Sequence, residues 1–288
     1  MKISSDGQTS LGRRLVLLAA STDLVPAHLN RVRVDAGQHA HLLQAAQRLR
    51  GAVYLADGAI AQTDLAPDGR FISRIDQEGW QFLILGQDDE VRGTIRYRPI
   101  AQPARFEHLG LSQSSLARDR DWALALRRAV ESEFERAAQR DLQYIEVGGW
   151  AMGKELRNTT EGLRLALTSF ALAMVSGGAF GIVNATQRHN SAQILRKVGG
   201  SPLQWQGVDL PPYFDQRYRC QMEILRFDSD HLQPRLAQSV SILAESLAKV
   251  EVVAARRGIS SSLNNLWTAV NDTEAVSASP KRMVAHAR

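Results

Sequence analysis

The chain has 288 residues, 44% hydrophobic and 23% charged, with 21 glycines, 9 prolines and one cysteine. These values exclude a collagen-like or wholly disordered chain, and the lone Cys220 excludes an internal disulfide and a cysteine-rich metal site. Its 35 basic and 30 acidic residues leave a net charge of +5 with no dense Lys/Arg run interleaved with aromatics, so no nucleic-acid partner is expected.

In chain order, residues 1–30 read as a flexible lead-in. The apolar run from Leu15 to Ala20, after Arg13-Arg14, is shorter than a signal-peptide core. The uncharged stretch from Leu165 to Gln187 is broken by Ser176-Gly177-Gly178, which leaves too short an apolar core to span a bilayer. With one cysteine in the chain, a cytoplasmic protein is expected. Residues 36–55 place Leu42, Ala46, Leu49 and Val53 at helical spacing, with Arg48 and Arg50 between them, and Ala56-Asp57-Gly58 ends the helix. A polar link with the turn Pro67-Asp68-Gly69 leads to a hairpin, Trp80 to Leu85 and Val91 to Tyr97, joined by an acidic turn.

Residues 119–140 form an amphipathic helix with Trp122, Leu126, Val130 and Phe134 on one stripe. Leu142 to Met152 reads as a strand containing Gly148-Gly149, and glycine within a strand marks a bulge or a close backbone approach. A helix from Glu161 to Val175, a strand from Ala179 to Ala185, a short helix from Asn190 closed by Gly199-Gly200, and a strand from Arg219 to Phe227 follow. The spacing of Leu236, Val240, Leu243, Leu247, Val250 and Ala254 predicts one amphipathic helix over 231–257. Its narrow seam either docks on the domain or forms a homodimer. Residues 258–288 read as a disordered tail. The order of elements makes residues 31–230 a mixed α/β domain.

Chemistry concentrates in a few segments. The strand AFGIVNAT followed by HNSAQILRKVGG, with Asn190, Ala192 and Leu195 before a glycine turn, resembles the last motif of the GNAT acyltransferases. The hairpin with VRGTIRY resembles the second and third strands of that superfamily. Gly148-Gly149 then falls where the family opens its sheet to admit a pantetheine arm. The resemblance implies a mixed, mostly antiparallel sheet flanked by helices, here with an extra C-terminal helix. It also implies Gly148, Gly149, Trp150 and Asn190 as acyl- and pantetheine-binding residues. GNAT enzymes carry a Gly-rich loop whose backbone N–H groups hold the coenzyme A pyrophosphate. Here that place reads Leu156-Arg157-Asn158-Thr159-Thr160-Glu161-Gly162, a loop better suited to the single phosphodiester of an acyl carrier protein.

A narrower resemblance is carried by RLRGAVYLADGAI (48–60), Asp76 before WQFLIL, GTIRYRP (93–99) and YIEVGGWAM (144–152). These segments resemble acyl-homoserine-lactone synthases and N-acyl amino acid synthases. Carried over residue by residue, the resemblance implies Glu146 as catalytic base and Arg50, Asp76 and Arg96 as substrate-binding residues, with Tyr54 beside Arg50. Arg74 stands at an acidic position of the lactone synthases, and Gly148-Gly149 interrupts their Glu-x-x-Arg. Both departures favour the N-acyl amino acid branch. The expected function is transfer of a long acyl group from acyl carrier protein, or from coenzyme A, to the amine of an amino acid. No permanently bound cofactor and no metal are implied. The alternatives are a lactone-forming signal synthase, a CoA-dependent N-acetyltransferase and a non-catalytic module.

Overall fold

The structure, a computed structural model, describes residues 12–21, 25–256 and 259–260. Its principal strands are β1 (Arg14–Leu18), β2 (Arg31–Val34), β3 (Trp80–Leu85), β4 (Val91–Pro99), β5 (Gln143–Met152), β6 (Ala179–Thr186), β7 (Tyr213–Asp215), β8 (Cys220–Asp228) and β9 (Glu251–Ala254). The helices are α1 (Ala36–Ala56), α2 (Ala123–Gln139), α3 (Glu161–Val175), α4 (Ser191–Lys197) and α5 (Pro234–Leu247). The nine strands lie in one sheet in the order β7-β8-β6-β5-β4-β3-β1-β9-β2, and Ser201–Pro202 also pairs with β8. The pairs β5–β6, β1–β9 and β9–β2 are parallel and the others antiparallel.

Alternating side chains divide the core between two faces, as the period of two dictates. Ile95 and Tyr97 of β4, Ile145 and Val147 of β5, and Val183 and Ala185 of β6 pack with α3 and α5. Leu83 and Leu85 of β3 meet α1, while Tyr144, Phe180 and Ile182 meet α2. Helices α1 and α2 therefore share the face opposite α3.

Three expectations are corrected. The lead-in contains β1, which lies between β3 and β9 with Leu17 fully buried, because the aliphatic run Leu15 to Leu18 is a strand once both its edges are paired. The helix expected over 231–257 stops at Leu247. Val252 and Val253 then continue as β9, whose β-branched side chains suit a central strand. The seam residues Val240, Leu243 and Leu247 join the core against α3, so the seam docks within the chain. On α1 the buried stripe is His39, Leu42, Ala46, Gln47 and Arg50, with Leu49 and Val53 only partly covered. Beyond residue 256 only Ile259–Ser260, paired with Val25–Pro26, is described, so the tail expected at 258–288 lies otherwise outside the described residues. Among the described residues no helix is long and apolar enough to cross a membrane.

Candidate active site

Helix α1 is capped at its start by Asp35, whose Oδ1 accepts from the Gln38 N–H at 2.8 Å. This sets the helix rotation that turns Gln47 and Arg50 inward, toward the short 3₁₀ turn Arg74–Asp76. Asp76 is 2% exposed and is the hub of the site. Arg50 donates to both its oxygens, Nη1 to Oδ1 at 2.7 Å and Nη2 to Oδ2 at 2.6 Å. Arg96 Nη1 donates to Oδ1 at 2.9 Å, and Gln47 Nε2 and the Ser73 N–H donate to Oδ2 at 3.0 Å. Gln81 Nε2 holds the Asp76 carbonyl.

Burial pushes the Asp76 carboxyl up, but the Arg50 hydrogen bonds and the charges of Arg50 and Arg96 outweigh it and hold the group below the usual carboxylate range. Burial and the neighbouring Arg50 depress Arg96, and Asp76 and Glu146 oppose that effect. Two guanidinium groups on one carboxylate leave one buried positive charge in excess. Arg96 Nη2 has no protein acceptor among the described residues, and it faces the cleft.

Two residues along β4 on the same face, Arg98 donates Nη2 to Glu146 Oε2 at 2.6 Å and to the His108 carbonyl at 2.6 Å, while its Nη1 meets Glu78 at 2.7 Å. Glu146 is 7% exposed. Its Oε2 also accepts the Gly110 N–H, and its Oε1 accepts the Leu111 N–H, both at 3.1 Å. This carboxylate therefore fastens the loop that follows β4 against the sheet, and the loop forms one wall of the cleft.

The glycine pair on β5 has two tasks. Opposite it the ladder runs from Thr94↔Ala151 to Arg96↔Gly148, so β5 carries an extra residue, and Gly149 takes φ +63°. A Cβ on Gly149 would lie 3.0 Å from Arg50 Nη1, and one on Gly148 would lie 3.3 Å from Arg96 Nη2. The glycines thus let both arginines lie against the strand. Strands β5 and β6 pair only as far as Val147↔Val183. Beyond that point β5 pairs with β4 and β6 with β8, and the sheet splays between them.

The splay opens into a cleft of about 990 Å³. Arg50, Arg96, Glu146, Gly148, Gly149, Trp150 and Asn190 all line it, so the structure brings the expected residues to one cavity, with Asp76 buried behind the arginines. Their parts in it differ. The Trp150 carbonyl accepts from the Tyr54 hydroxyl at 3.3 Å, and its Nε1 is buried without a hydrogen-bond partner. Tyr54 is itself edge-on to Phe71 and Tyr218, and burial pushes its phenol up. Asn190 is exposed in the left-handed region at φ +60°, and its side chain makes no cap bond. Cys220 is buried against Met222. Among the described residues no group of His, Cys, Asp and Glu could hold a metal ion.

Sequence reasoning missed Arg98, although it shares a strand face with Arg96. It also missed Gln47 and Asn184, which carry no local signature, and it read Tyr213 only as part of an aromatic loop, with Phe214 and Tyr218, that closes the acyl pocket or packs. Asn184 on β6 accepts from the Tyr213 hydroxyl at 2.9 Å and lines the cleft.

The chain matches no protein-family model and no curated protein sequence. In three dimensions it is similar to the CoA-dependent acyl-homoserine lactone synthase BjaI. Structures of BjaI with MTA and with SAM and isopentyl-CoA align at TM-scores of 0.52 and 0.53 and 14% identity, over 90% of this chain and 100% of BjaI. The N-acyl amino acid synthase FeeM, from uncultured soil microbes, aligns over 76% of this chain and 92% of its own length, at a TM-score of 0.46 and 14% identity. The likeness to BjaI establishes the architecture: a GNAT fold, mixed and mostly antiparallel, flanked by helices on both faces.

Proposed function

We propose that the chain is an N-acyltransferase that moves an acyl group from a phosphopantetheine thioester to the amine of an amino acid. One observation carries this reading. Arg96 presents an unpaired Nη2 donor and an excess buried positive charge to the cleft, at the floor of the opening between β5 and β6. Arg96 shares its carboxylate partner, Asp76, with Arg50, which leaves a buried guanidinium donor for an anionic ligand, and a guanidinium suits a carboxylate. An amino acid brings the carboxylate and the amine together.

In this reading the thioester enters through the splay. The amine nitrogen attacks the thioester carbonyl, the C–S bond breaks, and the thiol leaves with a proton while the amine loses one. Glu146 Oε1 makes one bond, to the Leu111 N–H, and retains acceptor capacity to receive the amine proton directly or through a water. Backbone N–H groups between Gly148 and Ala151 receive the charge developing on the carbonyl oxygen. The acyl chain runs toward an apolar cavity of about 30 Å³ between the sheet and α3, lined by Ile95, Val147, Ala166 and Gly181. Phe170 and Phe227 stand edge to face there at 5.5 Å, so a long chain has to displace that pair.

The donor we favour is acyl carrier protein. The N-terminus of α3, where a pyrophosphate would be held, begins with Glu161, buried beside Arg164, and a carboxylate there opposes a second phosphate. BjaI has the same fold and is CoA-dependent, so acyl-CoA is the competing donor. A cytoplasmic location agrees with either.

The test is mass spectrometry of lipid extracts from cells expressing the chain, beside a Glu146→Gln control. New N-acyl amino acids that vanish in the control support the reading. Acyl lactones with methylthioadenosine release would move the protein to the signal-synthase reading. No acylated amine from soluble, folded protein would overturn acyl transfer.

A further inference from the structure

We infer that Asn184 is the second donor of the acceptor-carboxylate subsite, acting across the splay from Arg96; this rests on the acyl-transfer reading above. The strand register makes the juxtaposition. Val147 and Val183 are the last β5–β6 partners, so Gly148 and Asn184 are the first residues on either side of the opening. Arg96 is the ladder partner of Gly148, and its Nη2 lies 3.3 Å from where a Gly148 Cβ would be. Asn184 alternates with Val183 and Ala185, which face α3, and so it projects to the same face as Arg96. Both side chains line the one cleft.

The orientation of the amide is fixed from behind. The Tyr213 hydroxyl donates to Asn184 Oδ1 at 2.9 Å and shares a second hydrogen bond with the Ser114 side chain. Ser114 Oγ already accepts the Ala117 N–H, so its own hydrogen is directed to Tyr213. Burial pushes the Tyr213 phenol up, and it stays a donor. With Oδ1 committed, the Asn184 Nδ2 hydrogens have no protein acceptor among the described residues. A charged donor and a neutral donor, flanking a position kept free of a Cβ by Gly148, fit the two oxygens of one carboxylate. The acceptor class is therefore an α-amino acid rather than a simple amine.

The experiment measures acyl transfer by thiol release for wild-type, Asn184→Ala and Asn184→Asp chains, with acyl carrier protein and CoA carrying the same acyl group. The acceptors are L-leucine and L-phenylalanine beside their decarboxylated counterparts, isoamylamine and phenethylamine. Circular dichroism melts establish that each variant is folded, and Asn184→Ser replaces either one that is not. Asn184→Ala is expected to raise the amino acid KM about 10-fold or more with kcat near wild type, since a hydrogen bond to a charged group is lost. Asn184→Asp keeps the side-chain volume, sets one carboxylate against another and raises KM further. Tyr213→Phe, which releases the amide, gives a smaller rise. The KM of the decarboxylated amines is the same in all chains. An unchanged amino acid KM in Asn184→Ala, or a fall in kcat shared by amino acids and amines, overturns the inference and leaves acyl transfer standing. A wild-type chain that releases no thiol with any acceptor overturns the functional reading itself, and the inference with it.

Discussion

Arg50 and Asp76, 26 residues apart, meet fork to carboxylate at 2.7 and 2.6 Å with both side chains almost fully buried, and Arg96 shares the same carboxylate at 2.9 Å. Removing the shared anion leaves two guanidinium groups facing each other out of water. Asp76→Ala is therefore expected to lower stability by about 3–5 kcal/mol, the range seen when one member of a buried pair is removed. Urea denaturation of the variant beside wild type measures it. A loss under about 1 kcal/mol would mean that the cluster is solvated like a surface pair.

The same carboxylate gives stability an acid limb. Its folded-state pKa lies below the unfolded value of about 3.9. Its contribution is then full above that value and is lost as pH falls through the depressed folded value. Wild-type stability should decline below about pH 4, and Asp76→Asn should flatten that part of the decline. Denaturation at a series of pH values, in wild type and variant, checks the difference in slope. Equal slopes would place the acid sensitivity elsewhere.

Glu146→Gln separates two tasks of one residue. The amide keeps the side-chain volume but loses the charge that Arg98 faces at 2.6 Å. Its single amide oxygen can accept only one of the Gly110 and Leu111 N–H groups, which go to different carboxylate oxygens in the wild type. If Glu146 takes the proton from the amine, kcat falls by about 10²- to 10⁴-fold and the acidic limb of the pH–rate profile disappears. If it only fastens the loop, hydrogen exchange at Gly110 and Leu111 rises while that limb persists.

Helix α5 offers a test of packing. Leu243 is 1% exposed in the cluster shared with α3. Leu243→Ala should cost about 2–5 kcal/mol of stability. Because the seam is spent on α3, sedimentation should show the same oligomeric state before and after the change. A variant that keeps its stability but changes its mass would show the seam serving a second copy.

The sequence made the fold legible wherever a local pattern had one outcome. The hairpin of β3 and β4, the α2 stripe and the strand–helix unit of β6 and α4 follow from periodicity and turn residues. Two elements did not. Residues Leu15 to Leu18 form a strand between two distant partners, β3 and β9, the second more than 230 positions away. The apolar repeat from Leu236 to Ala254 passes from helix to strand at Val250, and steps of three and four do not distinguish a helix from a helix followed by Val252-Val253. In the site, the family resemblance singles out Arg50 as a substrate-binding residue, but its burial against Asp76 is not legible in helical spacing, because Asp76 lies on a separate turn. Asn184 and Tyr213 meet across β8, a contact that no sequence spacing encodes.

The two adjacent glycines should respond differently to the same methyl group. Gly149 has φ +63°, so alanine there is strained by about 1–2 kcal/mol before any contact is counted. Its Cβ would also press at 3.0 Å on Arg50 Nη1, which Asp76 holds in place. Gly149→Ala is expected to lower Tm and to disturb the arginine pair. Gly148 is not among the residues with positive φ, and its Cβ would meet only Arg96 Nη2 at 3.3 Å, a group without a protein partner that can move by a few tenths of an ångström. Gly148→Ala should keep Tm near wild type while filling the space between Arg96 and Asn184, and so raise the amino acid KM. Melting curves and acceptor kinetics on the two variants decide it. An amino acid KM unchanged in folded Gly148→Ala would mean that no carboxylate binds over that position.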